Sequence, residues 1–599
     1  MAQAEGVVAV AESPANERLR HVALLLALAS LLFFLGLGSL GLTDRDEGSN
    51  AEAAREMVET GDWISPTLNY EPRFAKPAFV YWLMSGAYLL LGPSEFSARL
   101  PSAFFGVALI LLQYFFLARV REPVLALMGG LMLLLNVEIV AIGRTAIMDS
   151  TLIFFTTSSL YCFWLGLHGE GRARHSIWGL YIGMALATLT KGPVGFLVPM
   201  LVIATYLTLT HRWQQFWRDG FPIAGTCLLL LLAVPWYAAM LAIHGSAYTA
   251  SASANTIGRF LNVIGGHGGT ILFYFPILAF GFFPWSGFLL MALVQAWKAW
   301  RSDGHETAGN AQVGTPEHSR PPSSSELEIF AAAWLIIGFL FFSLSATRLP
   351  HYIGPLYPAA AILAASYLSR CLRNSATPGL HIAFRTTMVL GYLLGFFLTA
   401  GPALYATFLD QVIKEFPMAA QVTPGLSPVV AGVVVVIGTI VIGYFGRSEE
   451  RRSGAFWAGG ITIGLVLLIV IRVSLPHFSE HFIAPPQQLA YIAGENLGEG
   501  DRLILYGRTK PSFIFYAKRK AILITPGQES AMAPYLTQPG RTMILLPARL
   551  EKSLPTEARD YTPLLSLRGY TLLSNKPMVD TPPRPPQSSA PPPNPHGNR

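Results

Sequence analysis

About thirteen apolar runs divide this chain of 599 residues, and the loops between them alternate in charge. A run of ~20 apolar residues crosses the ~30 Å hydrocarbon core of a bilayer as one helix. The first run, Val22 to Leu42, follows Arg18 and Arg20. It exceeds the ~7–15 apolar residues of a signal peptide and lacks a small-residue cleavage site, so it reads as an uncleaved span. The others lie near 99–118, 123–142, 150–168, 177–190, 193–210, 221–243, 271–297, 327–345, 352–369, 384–408, 427–446 and 455–475. Several hold only ~14–18 residues, a marginal length for a crossing.

Lys and Arg concentrate in cytoplasmic loops of membrane proteins. With the N-terminus in the cytoplasm, alternate loops carry Arg119 and Arg121, Arg172 and Arg174, Arg212 and Arg218, Lys298 and Arg301, Arg370 and Arg373, then Arg447, Arg451 and Arg452. The first opposite loop, 44–76, holds eight acids against four bases. An odd number of spans leaves everything after Leu475 outside the cytoplasm. Residues 77–92 are apolar, yet a crossing there would invert every later loop, so they read as an interfacial or re-entrant helix on the outer face. The Gly/Ser/Pro-rich stretch 302–325 reads as a cytoplasmic connector.

Composition agrees. Charged residues make up 13% of the chain and mean hydropathy is +0.44, against ~25% charge in a soluble domain. An ordinary soluble enzyme, a disordered chain and a nucleic-acid binder are excluded. Three cysteines, Cys162, Cys227 and Cys371, make no disulfide framework. The expected organisation is a transmembrane domain over 1–475 with its first outer loop at 43–98, a small extracytoplasmic α/β domain over 476–576, and a disordered Pro-rich tail over 577–599. Within 500–575, the runs DRLILYG, PSFIFYA, AILIT and TMILLPA read as β-like.

The first outer loop carries the densest chemistry. Ser49 and Glu52 have capping-box spacing and Gly61 marks a stop, predicting a short helix over about 50–59. Asp44, Asp46 and Glu47 would then cluster just before its N-terminus, where anionic groups are favoured. They would orient a hydroxyl or a cation there, or simply cap the helix and face solvent.

The stretch RDEGSNAEAAREMVETGDWISPTLN…FAKPAFVYWL…FSARLPSA resembles the first outer loop of the aminoarabinose transferase and protein O-mannosyltransferase group, GT-C membrane glycosyltransferases that use polyprenyl-phosphate sugars. Arg144 to Asp149 (RTAIMD), Thr190 to Pro193 (TKGP), Asn255 to Trp285 and Ser345 to Pro358 (SATRLPHYIGPLYP) resemble later motifs of that group. The resemblance covers residues 20–370 in motif detail. It implies a GT-C-like fold of about thirteen membrane helices with a small extracytoplasmic α/β domain. The implied partners are a polyprenyl-phosphate sugar donor, a lipid or protein acceptor and the bilayer of the inner (plasma) membrane; a monomer is expected. Two departures stand out. Ala75 precedes Lys76-Pro77 where the group usually has an acid, and Ser49-Asn50 stand where it commonly has Arg-Tyr. Without that acid His267 lacks an obvious partner, so no metal cofactor is required; a divalent metal, if present, would draw on Asp44 and His267.

Departure of a polyprenyl phosphate needs cations that meet the developing negative charge. Lys76, Arg259 and Arg348 at the outer face, and Lys191 at a turn between two short spans, are the candidates; each is alternatively a snorkelling base. Asp46 is the candidate base for a hydroxyl acceptor, or an orienting group for a phosphate acceptor, with Glu47 beside it. Asp149 joins the site through the resemblance and would otherwise be a helix cap. Tyr352 fits sugar or phosphate binding, or an aromatic belt. The expected activity is sugar transfer to lipid A or another glycolipid; protein O-mannosylation is the alternative, and a non-enzymatic lipid or solute transporter is the rival from another class.

Overall fold

The computed structural model of the protein describes residues 14–577 except 45, 264–267, 310–324, 375–376, 417, 420–421 and 508–509. The chain opens with α1 (Pro14–Phe34). The expected span from Val22 to Leu42 is therefore helical only to Phe34. Its remainder, LGLGSLGL, carries glycines that weaken a helix by ~1 kcal/mol each relative to Ala, and Gly36 takes a φ of +64°. The freed carbonyls are collected by two arginines. Arg144 donates to Leu32, Phe33 and Leu35 at 2.7, 3.1 and 2.8 Å. Arg99 donates to Leu37, Leu40 and Gly41 at 2.9, 2.7 and 2.9 Å.

Helix α2 (Asp46–Thr60) starts earlier than expected and buries Ser49 within its body. The Ser49–Glu52 capping box does not form. Thr43 and Glu47 take its place: Glu47 Oε2 accepts the Thr43 N–H at 2.7 Å and its hydroxyl at 2.9 Å. Gly61, at φ +70°, ends the helix where expected. A two-residue antiparallel pair, β1 (Thr67–Leu68) and β2 (Glu71–Pro72), follows. Next comes α3 (Phe79–Leu91), the helix anticipated over 77–92, which packs Tyr81, Met84 and Tyr88 against Ala51, Ala54 and Met57 of α2.

The body continues through α4 (Glu95–Val120), α5 (Pro123–Leu134), α6 (Val137–Gly143), α7 (Asp149–His168), α8 (Ile177–Lys191) and α9 (Val194–Leu209). Among the described residues, seven helices are long and apolar enough to cross a membrane, and up to nine if each of two bent pairs is one span. One bent pair is α5 with α6, turned by 66°; the other is Tyr274–Gly281 with Ser286–Ser302, turned by 111°. The thirteen apolar runs all contain helix, but α8, α9 and Tyr357–Arg373 have only 15, 16 and 17 residues. The connector expected from 302 begins as helix, since Ser286–Gly309 is continuous; 310–324 lie outside the described residues.

No break occurs at 475. Helical backbone runs from Arg452 to Asn496, with π-helical segments at Val470–Ser474 and Ser479–Ile483. Beyond it β3 (Arg502–Tyr506), β4 (Ala521–Ile524), β5 (Thr542–Pro547), β6 (Thr562–Leu567) and β7 (Tyr570–Ser574) form a sheet of order β4-β3-β5-β7-β6. The first three strands are parallel and the last two antiparallel. PSFIFYA, expected as β-like, is the helix Pro511–Ala517. Pro511 suits a first helical turn, and Phe513, Ile514 and Phe515 are all buried, so no solvent face imposes a strand's alternation. Of the tail expected over 577–599, residues 578–599 lie outside the described residues.

Candidate active site

Short helix ends bring the predicted charges together. The six-residue 3-10 turn Gly171–Ser176 joins α7 to α8 and folds them into a hairpin, so the first residue of α7 meets the last of α8. These are Asp149 and Lys191, with Nζ 2.6 Å from Oδ1. An acid at a helix N-terminus and a base at a C-terminus each match the local dipole. The 3-10 turn Pro350–Leu356 supplies two neighbours. His351 Nε2 lies 3.9 Å from the other Asp149 oxygen, and Lys191 Nζ stands 4.4 Å above the Tyr352 ring.

Lys76, on the strap entering α3, is the pivot of the cluster. Burial, then the charges of Lys191 and Arg259, push its ammonium down to about 7, although Asp149 and Asp46 pull the other way. Three cations are thus crowded into one partly desolvated space. Arg259 also keeps a buried Nε without a hydrogen-bond partner among the described residues. Asp46 is exposed on the first turn of α2, close enough to bear on Lys76, Lys191 and His351. The arrangement suits an anion held among Lys76, Lys191 and Arg259, with a carboxylate at its open edge.

The remaining predicted residues have other surroundings. Glu47 is 1% exposed and bound by Arg99 through Nε at 2.6 Å and Nη2 at 3.0 Å; its Oε1 also accepts the Ala146 N–H at 2.9 Å. Burial alone would raise its pKa, but Arg99 and the Thr43 and Ala146 amides outweigh burial and hold it below the ordinary carboxylate value. With both oxygens engaged, it fixes the loop instead of meeting a substrate. Asp44 accepts the Ser512 hydroxyl at 2.5 Å and its N–H at 3.2 Å, with Lys510 Nζ 3.5 Å away. Its carboxylate therefore ties the loop to the C-terminal unit. Gly48 permits this approach, since a Cβ there would sit 2.6 Å from the Ser512 nitrogen. Arg348 donates to the Gly269 carbonyl and, at 2.9 Å, to that of Ser343, and keeps a buried Nε without a partner among the described residues. It joins the segment before α-helix Tyr274–Gly281 to the end of Glu326–Leu344, and the preceding Thr347 N–H donates to the Arg259 carbonyl at 3.2 Å. His267 lies outside the described residues. Among those described, no three His, Cys, Asp or Glu side chains are grouped to hold a metal.

Sequence reasoning passed over His351, although it sits in the quoted SATRLPHYIGPLYP stretch as its one titratable imidazole. It also passed over Arg99 in FSARLPSA. At the departure Ser49-Asn50, Arg73 approaches from β2's far end and donates to Asn50 Oδ1 at 3.3 Å and to the Tyr81 hydroxyl.

Residues 25–249 match the family model described as dolichyl-phosphate-mannose-protein mannosyltransferase. An undecaprenyl phosphate-alpha-4-amino-4-deoxy-L-arabinose arabinosyl transferase of Pseudomonas paraeruginosa is 29% identical over 462 residues, 76% of each chain. The enzyme of the same description from an Enterobacter strain is 24% identical over 502 residues, 82% of this chain and 84% of that one. In fold, the chain is similar to ArnT from Cupriavidus metallidurans, whose crystal structure was solved bound to undecaprenyl phosphate. The TM-score is 0.74 at 22% identity, over 93% of this chain and 98% of that one. The chain is thus similar in sequence to aminoarabinose transferases over about three quarters of its length, matches the mannosyltransferase family model over 25–249, and shares the fold of ArnT.

Proposed function

We propose that the protein transfers a sugar from a polyprenyl phosphate of the undecaprenyl type to a lipid acceptor, with lipid A the first candidate, at the outer face of the inner membrane. The reading is carried by Lys76: its ammonium is crowded by Lys191 and Arg259 more than Asp149 and Asp46 offset, which favours an incoming anion. In the proposed topology thirteen crossings leave the N-terminus in the cytoplasm and the C-terminal sheet outside, as the loop charges require. The short helices α8, α9 and Tyr357–Arg373 count as crossings in that scheme.

Cleavage of the bond between the anomeric carbon and the phosphate oxygen leaves a second negative charge on the polyprenyl phosphate. Lys76, Lys191 and Arg259 meet that charge as it develops, where preorganised electrostatics act most strongly. Asp149 holds Lys191 and is itself flanked by His351, so it is a positioning residue for the phosphate cations. Asp46, exposed at the edge, takes the proton of a hydroxyl acceptor or orients an already ionised phosphate acceptor. Tyr352 supports Lys191 through its ring face. Transfer to Ser or Thr hydroxyls of a protein is the second reading, supported by the mannosyltransferase family match over 25–249. The similarity to arabinosyl transferases over three quarters of the chain favours an enzyme over the transporter rival.

The test is in vitro transfer from a polyprenyl-phosphate sugar in detergent, with donor binding measured separately. Asp46→Asn should lower transfer by ~10²–10³, as for loss of one preorganised group, while the donor still binds. Lys76→Ala should weaken binding and transfer together. With a hydroxyl acceptor the Asp46→Asn defect shrinks as pH rises; with a phosphate acceptor it does not. Near-parental transfer by both variants would overturn the assignment.

A further inference from the structure

At the opposite end of the helical body, a cavity of about 720 Å³ opens between the helices Ser286–Gly309, Tyr357–Arg373 and Leu380–Thr399. Its lining combines apolar Met291, Val294 and Ile382 with basic Lys298, Arg370 and Arg373. The three bases are not equally occupied. Arg373 pairs with Glu122 at 2.6 Å and Arg370 with Glu328 at 3.3 Å, but Arg370 Nε is buried without a partner among the described residues. Lys298 is exposed and forms no ion pair among them. The apolar lining continues outward: Leu290 and Val294 on one helix, and Ile382 and Val389 on its neighbour, are each 37–51% exposed.

We infer that this cavity binds the headgroup of an anionic membrane phospholipid, with its acyl chains lying along the exposed apolar residues. Basic pockets between membrane helices on the cytoplasmic side are suited to such headgroups, because the cytoplasmic leaflet is rich in anionic lipid. A phosphodiester would accept from Lys298 Nζ, which no protein carboxylate holds among the described residues, beside the Arg370 and Arg373 guanidinium groups. A free phosphate ion has the same charge but no use for the Met291, Val294 and Ile382 lining. Burying the chains there is what selects a lipid. The site is separate from the Lys76 cluster. Only its assignment to the cytoplasmic leaflet rests on the proposed topology, since headgroup binding in detergent does not depend on which leaflet supplies it.

The test uses the full-length protein, delipidated in a neutral detergent, and native mass spectrometry with added phosphatidylglycerol or phosphatidylcholine. One basic residue near an anionic lipid surface is worth roughly fivefold in affinity. Phosphatidylglycerol should bind at least fivefold more tightly than phosphatidylcholine, and Lys298→Glu should remove that preference. Lys298 is exposed, so the variant is expected to fold; Val294→Trp, which fills the cavity from its apolar lining, should reduce binding of the phosphatidylglycerol as well. Equal binding of the two lipids would overturn the inference, as would undiminished phosphatidylglycerol binding in both variants. Full competition by inorganic phosphate at matched concentration would overturn the assignment to a lipid. Transfer activity enters none of these readouts, so failure here is distinguishable from failure of the proposed reaction.

Discussion

Replacing Glu47 with Gln should unseat the 43–98 loop, because both carboxylate oxygens are engaged within the protein. Glu47 and Arg99 are 1% and 3% exposed. The carboxylate accepts two hydrogen bonds from Arg99, two from Thr43 and one from the Ala146 amide. Gln preserves the shape but turns an NH2 toward donors and leaves the Arg99 guanidinium without a counter-charge. Breaking one side of a buried pair costs about 3–5 kcal/mol. The Glu47 pKa is depressed in the folded protein. Its contribution is therefore fully present above the unfolded value of about 4.3 and is lost as pH falls through the depressed one. At pH 7 the whole effect is visible. The assay is thermal denaturation of the purified protein in detergent for Glu47→Gln, Arg99→Met and the double variant. Arg99→Met also abandons the carbonyls of Leu37, Leu40 and Gly41, so it should be at least as damaging. The two losses should not add, and a coupling of roughly 1–3 kcal/mol is expected for side chains in one network. Below its midpoint Glu47→Gln should still bind donor, because Lys191 and Arg259 lie outside the loop and Lys76 lies beyond α2 on the strap into α3, whereas transfer should fall through displacement of Asp46. A loss under about 0.5 kcal/mol, the range of an ordinary surface change, would refute the reasoning, as would full additivity.

Two further outcomes follow from the same geometry. Lys76 is held at about 7 against ~10.4 for a free lysine. Between these values the unfolded chain binds the extra proton, so its contribution to stability rises with pH; donor phosphate should restore the ammonium. Calorimetry of donor binding at pH 8 in buffers of different ionisation enthalpy should show proton uptake near one per site, fading at pH 6 and absent in Lys76→Gln; no buffer dependence would contradict the crowding. Truncation after Pro577 should leave thermal stability and transfer unchanged. Truncation after Ser574 should lower the midpoint measurably, because Asn575 Oδ1 accepts the Thr542 N–H at 2.9 Å and its Nδ2 donates to Gly540 at 3.1 Å. Equal stability of the two truncations would show that those bonds contribute nothing.

The helical body was legible because it rests on one-dimensional signals: run length, and the alternation of Lys and Arg between loops. Neither signal sees an arginine that acts as a cap. Arg99 and Arg144 stand in stretches quoted for their family resemblance, yet six carbonyls from the last turn of α1 and the LGLGSLGL stretch converge on them from 58 to 112 residues away. A long-range donor set of this kind leaves no periodicity in the sequence. The same limit explains the capping box. Ser49 and Glu52 have the right spacing, but Thr43 and Glu47 compete for the helix start, and Glu47 wins because Arg99 also holds it.

Chemistry was legible in residue type and less so in availability. The sequence clusters Asp44, Asp46 and Glu47 at a helix start, with Asp46 as the candidate base, Glu47 beside it and Asp44 toward a metal. Folding separates them by what each one faces: Ser512 and Lys510 take Asp44, Arg99 takes Glu47, and Asp46 alone is left at the open edge. Deciding among them requires the C-terminal unit and α4, hundreds and tens of residues away. That division of labour also accounts for the reach of the C-terminal sheet. Asn69 exchanges hydrogen bonds with Ala521 of β4, Nδ2 to the carbonyl and Oδ1 from the N–H, each at 2.8 Å. Gln487 donates to the Leu42 carbonyl and Tyr516 to Glu95. The unit therefore grips the outer loop at its start and after its helix, on both sides of Asp46. Its position sets where the Asp46 carboxylate stands relative to Lys76, which makes it part of the site's architecture although Lys76, Lys191 and Arg259 all lie outside it.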